Sequence, residues 1–159
     1  LLEVFTLFLE ERYSVRTAPG GEAAIEAVDE TVDVALLDRR MPDLSGDEVL
    51  DRFRAAGHSF PIAMVTAVEP DIDILKMPFD DYITKPIGRE QLLSVVDVLL
   101  TRSTYDSESR DFFQLASKKA TFESSRQFDV TTQPAYHEIR ERMEELADQL
   151  DETLTELTA

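Results

Sequence analysis

The first hundred residues switch between two hydrophobic rhythms. Residues 2–11 carry apolar side chains at helical spacing, and residues 13–18 alternate β-forming side chains, which predicts a strand. Residues 20–29 hold Ala23, Ala24, Ile25, Ala27 and Val28 and predict a helix. Residues 32–38 form an apolar run that ends in an acid. Residues 45–56 predict a helix opened by a capping box, Ser45 with Glu48, and striped by Val49, Leu50 and Phe53. Residues 60–66 read as a buried strand, 72–77 as one or two weak helical turns stopped by Pro78, 82–84 as a short strand, and 87–100 as an apolar-rich helix. Strands alternating with such helices predict βαβ units and a parallel sheet. The continuous apolar runs at 34–37 and 62–65 suit a sheet covered on both faces.

The rhythm changes after residue 100. Residues 101–107 are polar and predict a linker, and 108–126 can form a helix with Phe112, Leu115, Ala116 and Phe122 on one side. Residues 128–134 are expected to break it. Tyr136, Ile139, Met143, Leu146, Leu150, Thr153 and Leu157 then recur at alternating spacings of three and four, the seam of a coiled coil with acidic flanks. Our reading of that seam is a parallel homodimer, the alternative being a stripe packed within one chain.

Charge sharpens these boundaries. The formal net charge is -17, with only four lysines, at positions 76, 85, 118 and 119. Residues 1–100 carry 20 acids against 9 bases, 101–134 carry 5 of each, and 135–159 carry 8 against 2. Dense carboxylates with scarce lysine suit a protein kept hydrated in strong salt, where self-repulsion is screened. The same balance disfavours DNA, whose phosphates call for cations. Lys118, Lys119, Arg110 and Arg126 are the candidates for such a contact, and ordinary helix-surface charge is the plainer reading. His58 and His137 stand alone and are expected at the surface. There is no cysteine, which excludes disulfides and thiolate metal sites, and no apolar run of membrane-spanning length. The expectation is a cytoplasmic protein.

The candidate chemistry sits at the carboxyl ends of the expected strands, where open α/β sheets place reactive groups. Asp38 ends one strand, Thr66 the next and Lys85 the last. A carboxylate nucleophile, a hydroxyl donor and a compact cation can together accept, sense and neutralise a phosphoryl group.

At these residues the chain resembles the receiver domains of response regulators. Leu36-Leu37-Asp38-Arg39-Arg40-Met41-Pro42-Asp43-Leu44-Ser45-Gly46 is similar to the family's phosphoacceptor loop. Val65-Thr66-Ala67 resembles its switch hydroxyl, and Asp80-Asp81-Tyr82-Ile83-Thr84-Lys85-Pro86 its last strand and Lys-Pro. The resemblance implies a flavodoxin-like, doubly wound parallel sheet over residues 1–100. It implies Asp38 as acceptor of a phosphoryl group from a sensor histidine kinase, with Mg²⁺ held by Asp38 and the backbone carbonyl of Arg40. Lys85 would pair with the phosphoryl oxygens, Thr66 would shift to bond them, and Tyr82 would turn inward. It also implies a first strand ending in an adjacent acidic pair that helps hold Mg²⁺. This sequence starts after both, so the sheet is expected without that strand. Residues 108–159 resemble the HalX domain, a helical module of salt-loving archaea with a presumed transcriptional role, on Leu115-Ala116-Ser117-Lys118-Lys119-Ala120-Thr121 and the acidic helix after it.

The expected function is therefore a phosphorylation switch that acts through a C-terminal helical output. The alternative is a phosphorylation-independent interaction module on the same fold. An aspartyl-phosphate hydrolase would want a second Asp two residues past the nucleophile, where Arg40 stands, so no turnover enzyme is expected. The acids at 71, 73, 80 and 81 are read as surface charge rather than as a second metal site.

Overall fold

A computed structural model describes residues 2–103, 107–124 and 133–158. Three parallel strands form one sheet in the order β1 (Ala35–Leu37), β2 (Ile62–Thr66), β3 (Asp81–Thr84). Leu36 pairs with Ala63, and Met64 with Tyr82. Because strand side chains alternate, one face carries Leu37, Ile62, Met64 and Tyr82, and the other carries Leu36, Ala63, Val65 and Ile83. The first face is covered by α2 (Gly21–Ala27), α3 (Gly46–Ala55) and a 3-10 turn, Ile72–Lys76. The second is covered by α1 (Leu2–Glu10) and α4 (Arg89–Arg102). This is the doubly wound α/β arrangement.

The N-cap half of the expected capping box forms at α3, with the Ser45 hydroxyl accepting from the Glu48 amide at 3.2 Å. Residues 72–77 yield only the 3-10 turn, capped by Asp71 and ending at Met77 before Pro78.

Two expectations in this half need correction. Residues 13–18 join no strand ladder, and the strand expected over 32–38 shortens to Ala35–Leu37. A strand needs a neighbour to receive its N–H and C=O groups. β1 is the edge of the described sheet, and no described strand lies on its other side. Tyr13 and Val15 still pack as side chains, against Leu92, Leu93 and Val96.

The C-terminal half is two helices, α5 (Ser107–Glu123) and α6 (Pro134–Thr158), packed on each other. α4 runs on to Arg102, so helix takes part of the expected linker, and residues 104–106 lie outside the description. The expected break at 128–134 lies mostly outside it too. Pro134, expected within that break, instead opens α6, where its missing N–H costs no helical bond. Of the expected seam, Tyr136, Ile139 and Leu146 are buried, Met143 and Leu150 are half-buried, and the side chains of Thr153 and Leu157 lie outside the description. Tyr136 meets Phe122 of α5, and its hydroxyl donates to Glu123 at 2.5 Å. The buried part of the stripe is thus covered within one chain.

α5 also docks on the sheet half at the start of β3. The hub is Asp80, which is 3% exposed. It accepts from Arg54 Nη2 at 3.0 Å, the Ile62 amide at 2.8 Å and Gln114 Nε2 at 3.0 Å. Ser117 donates to Asp81 at 2.9 Å, and Arg110 donates to the Ser59 carbonyl at 2.6 Å. Lys118 is buried with its ammonium over the Phe79 ring, and burial pulls its pKa down. Lys118 and Arg110 are therefore turned into the molecule rather than toward a nucleic acid, and Arg126 lies outside the description. His58 is half-buried, with its ring against Phe53 and Phe60.

Candidate functional site

The loop after β1 is held in place by close packing. A Cβ on Gly46 would lie 2.1 Å from the Asp38 carbonyl oxygen and 2.8 Å from Arg39 Cα. Only glycine lets the start of α3 press against that backbone, and the Gly46 amide uses the approach to donate to the Arg39 carbonyl at 2.9 Å. Asp43 reaches from the same loop to the start of α2. It accepts from the amides of Gly21 at 2.6 Å, Glu22 at 3.0 Å and Leu44 at 2.8 Å, and these bonds hold its carboxyl below the usual range. Asp43 is the anion that a helix N-terminus favours. The loop is thereby tied to both α2 and α3.

Asp38, Thr66 and Lys85 converge at the carboxyl ends of the three strands. Lys85 Nζ lies 2.6 Å from Asp38 Oδ2. The Thr66 hydroxyl donates to Asp38 Oδ1 at 2.8 Å, and the Arg40 amide donates to the same oxygen at 3.1 Å. Thr66 is fully buried, while the Asp38 side chain remains 32% exposed. Burial pulls the Asp38 carboxyl upward. The bonds from Lys85, the Arg40 amide and Thr66 outweigh it and hold the group below the ordinary carboxylate range. Lys85 follows β3, reaches the site beside a cis Lys85–Pro86 bond, and lies 5.9 Å from the centre of the Phe5 ring.

Tyr82 lies behind this triad. Its ring is buried against Phe79, and its hydroxyl donates to the Val68 carbonyl at 2.6 Å. The Val68 amide in turn donates to Thr66 Oγ1 at 3.3 Å. Burial raises the Tyr82 pKa, and the nearby Arg39 guanidinium opposes that rise.

Arg39 was not singled out from the sequence, where it stands only as part of the loop after Asp38. Its side chain is only 10% exposed. Nε and Nη2 hold Asp47 at 2.9 and 2.8 Å, Nη2 also meets Asp73 of the 3-10 turn, and Nη1 lies 3.5 Å from the Tyr82 hydroxyl. The bond to Asp47 holds the guanidinium above its already high pKa.

Among the described residues, no three His, Cys, Asp or Glu side chains converge as a metal site. The carboxylate at the strand ends is that of Asp38, whose side chain is 32% exposed. A carboxylate of this kind is compatible with Mg²⁺, which is commonly held by one or two carboxylates with water and phosphate oxygens completing its shell.

Residues 1–97 match the response regulator receiver domain family, and residues 101–159 match the HalX domain. The chain belongs to the response regulator receiver family and carries a HalX domain after the receiver. It is 45% identical over 134 residues to a putative transcriptional regulator of Haloferax volcanii, covering 84% of this chain and 23% of that protein. It is 35% identical over 107 residues to regulatory protein VanRc of Enterococcus gallinarum, covering 64% and 46%. The chain thus spans less than half the length of these two relatives. A two-component response regulator from Clostridium difficile superposes with a TM-score of 0.60 at 28% identity, covering 65% of this chain and 89% of the other. Among the described residues, no helix is long and apolar enough to cross a membrane.

Proposed function

We propose that this chain is the phosphorylation switch of a cytoplasmic two-component response regulator, with Asp38 as phosphoacceptor and the HalX helices as its output. The observation that carries this reading is the pair of donors on Asp38, Lys85 on Oδ2 and Thr66 on Oδ1. Oδ2 accepts from Lys85 alone among the described residues, so it keeps a lone pair for attack on phosphorus. In that step an Asp38–phosphorus bond forms, and the phosphorus–nitrogen bond of a kinase phosphohistidine breaks. The histidine keeps the electron pair. Lys85 then neutralises the phosphoryl oxygens, and the Thr66 hydroxyl turns from the carboxylate to one of them. Mg²⁺, when bound through Asp38 and the Arg40 carbonyl, supplies further charge neutralisation.

The output belongs to the same proposal. Transcriptional control is supported by the Haloferax relative, while the acidity of the chain and the inward Lys118 and Arg110 weigh against DNA contact by these helices. A homodimer would use Met143 and Leu150, the seam positions half-exposed in one chain. Sedimentation before and after phosphorylation measures it.

The decisive experiment is labelling with acetyl phosphate and Mg²⁺ in high salt, with Asp38→Asn as control. Label on the wild type that is lost in the control is the expected result. No label on a folded chain would overturn the switch and leave an interaction module on a receiver fold.

A further inference from the structure

The hydrogen bonds behind Asp38 close into a ring. One arc runs from Asp38 to Thr66, from Thr66 to the Val68 amide, and from the Val68 carbonyl to the Tyr82 hydroxyl. The other arc returns from Tyr82 to Arg39, the residue covalently next to Asp38. Arg39 has two further partners, and they differ in kind. Asp47 belongs to the first turn of α3, which is anchored in the core by Val49, Leu50 and Phe53, and it takes Arg39 through a two-point fork. A fork of that kind fixes the plane of a guanidinium. Asp73 belongs to the single 3-10 turn, and its side chain is half-exposed.

We infer that Arg39 is a positioning residue that holds the inward Tyr82 and the 3-10 turn to the acceptor loop, so that a change at Asp38 reaches both through this guanidinium. The inference rests on Asp38 being the phosphoacceptor. Its physical basis is that a nearly buried arginine is costly without partners, and here one cation serves two carboxylates and a phenol. Movement of the Asp38–Arg39 backbone must displace the fork, break the Asp73 pair or carry the 3-10 turn along. α3 is the least free to move, so the displacement falls on Asp73 and Tyr82. α5 packs on this same turn and on β3, which makes the turn a route to the output helices.

The test is ¹⁹F NMR of the full chain labelled with 3-fluorotyrosine, with the Tyr82 line assigned by Tyr82→Phe. Spectra are compared without phosphate and at matched Asp38 occupancy after acetyl phosphate and Mg²⁺. The expected result is a single Tyr82 line in the wild type that moves on phosphorylation. In Arg39→Gln the line should broaden or split before phosphate is added, and its phosphate-dependent movement should fall by at least about half. Asp73→Asn, which leaves the Asp47 fork in place, should reduce that movement without the initial splitting. Arg39→Lys keeps the charge but loses the fork and should behave like Arg39→Gln. A Tyr82 line that moves equally in all four proteins would overturn the inference while leaving the phosphoacceptor reading intact. A wild type that takes no phosphate would defeat that reading instead. The inference would then fall too if Arg39→Gln left the unphosphorylated Tyr82 line unchanged. Asp73→Asn guards against the case in which Arg39 variants do not fold, because it alters only an exposed partner.

Discussion

Asp38 carries opposing demands that set its acid–base behaviour. Burial favours the neutral acid, and three donors favour the carboxylate and prevail. A carboxylate whose pKa is lower folded than unfolded adds stability above its unfolded value and loses it as pH falls through the folded one. Asp38 should therefore stay ionised, and labelling should be flat from about pH 8 down to about pH 5, above the ordinary carboxylate range. Replacing Lys85 by Met removes the strongest of the stabilising bonds. The Asp38 carboxyl carbon followed by ¹³C NMR should then titrate at higher pH than in the wild type, and an unmoved titration would deny the Lys85 contact its electrostatic role. Gly46 gives a steric test at the same loop. Its missing Cβ leaves 2.1 Å to the Asp38 carbonyl, so Gly46→Ala should cost about 3 kcal/mol, the upper end for overpacking. A denaturation midpoint equal to the wild type would show that the loop yields. The convergence of Asp38, Thr66 and Lys85 could be read from the sequence because each stands at the carboxyl end of an expected strand. Arg39 could not, since nothing local to it distinguishes a solvated arginine from one whose partners lie 8 and 34 positions away.

At the scale of elements, what the sequence revealed depended on where each partner lies. α3 announced itself through Ser45 and Glu48, because a capping box is local, and Ser45→Ala should cost about 1 kcal/mol in thermal or urea unfolding. Residues 13–18 have strand-like side chains but join no ladder, because pairing is a property of two segments. The α6 stripe shows the same limit, since three-and-four spacing is satisfied equally by a helix of the same chain or of another. α5 supplies that helix here, with Phe122 fully buried beneath Tyr136. Leu146 is fully buried, so Leu146→Ala should destabilise the chain by about 2–5 kcal/mol, whereas Met143→Ala at a half-buried site should cost clearly less. Both losses should be independent of protein concentration if the packing lies within one chain. A midpoint that rises steeply with concentration would instead place Leu146 between copies.

For the whole molecule, the question is whether the two families' modules behave as one body, and Asp80 decides it. A carboxylate this buried is tolerable only when fully paired. Its partners come from both halves, Arg54 and the Ile62 amide from the α/β half and Gln114 from α5. Arg54 also donates to the carbonyls of His58, Phe60 and Pro78, so one ion pair organises the whole end of the sheet on which α5 rests. Breaking such a pair from one side leaves an uncompensated buried charge, and Asp80→Asn should cost about 3 kcal/mol. The distribution of that loss matters more than its size. If α5 is docked as described, the wild type should melt in one cooperative step, with amides of α5 and of β2 protected to similar extents against hydrogen exchange. Gln114→Ala removes the hydrogen bond from α5 to Asp80 and leaves the longer Arg110 ion pair at 3.9 Å. It should speed exchange across α5 and α6 by several-fold while leaving β2 protected. Equal exchange in α5 with and without Gln114 would mean that the helices do not draw their stability from this face. The 3-10 turn would then have to pass any change at Asp38 to something other than α5.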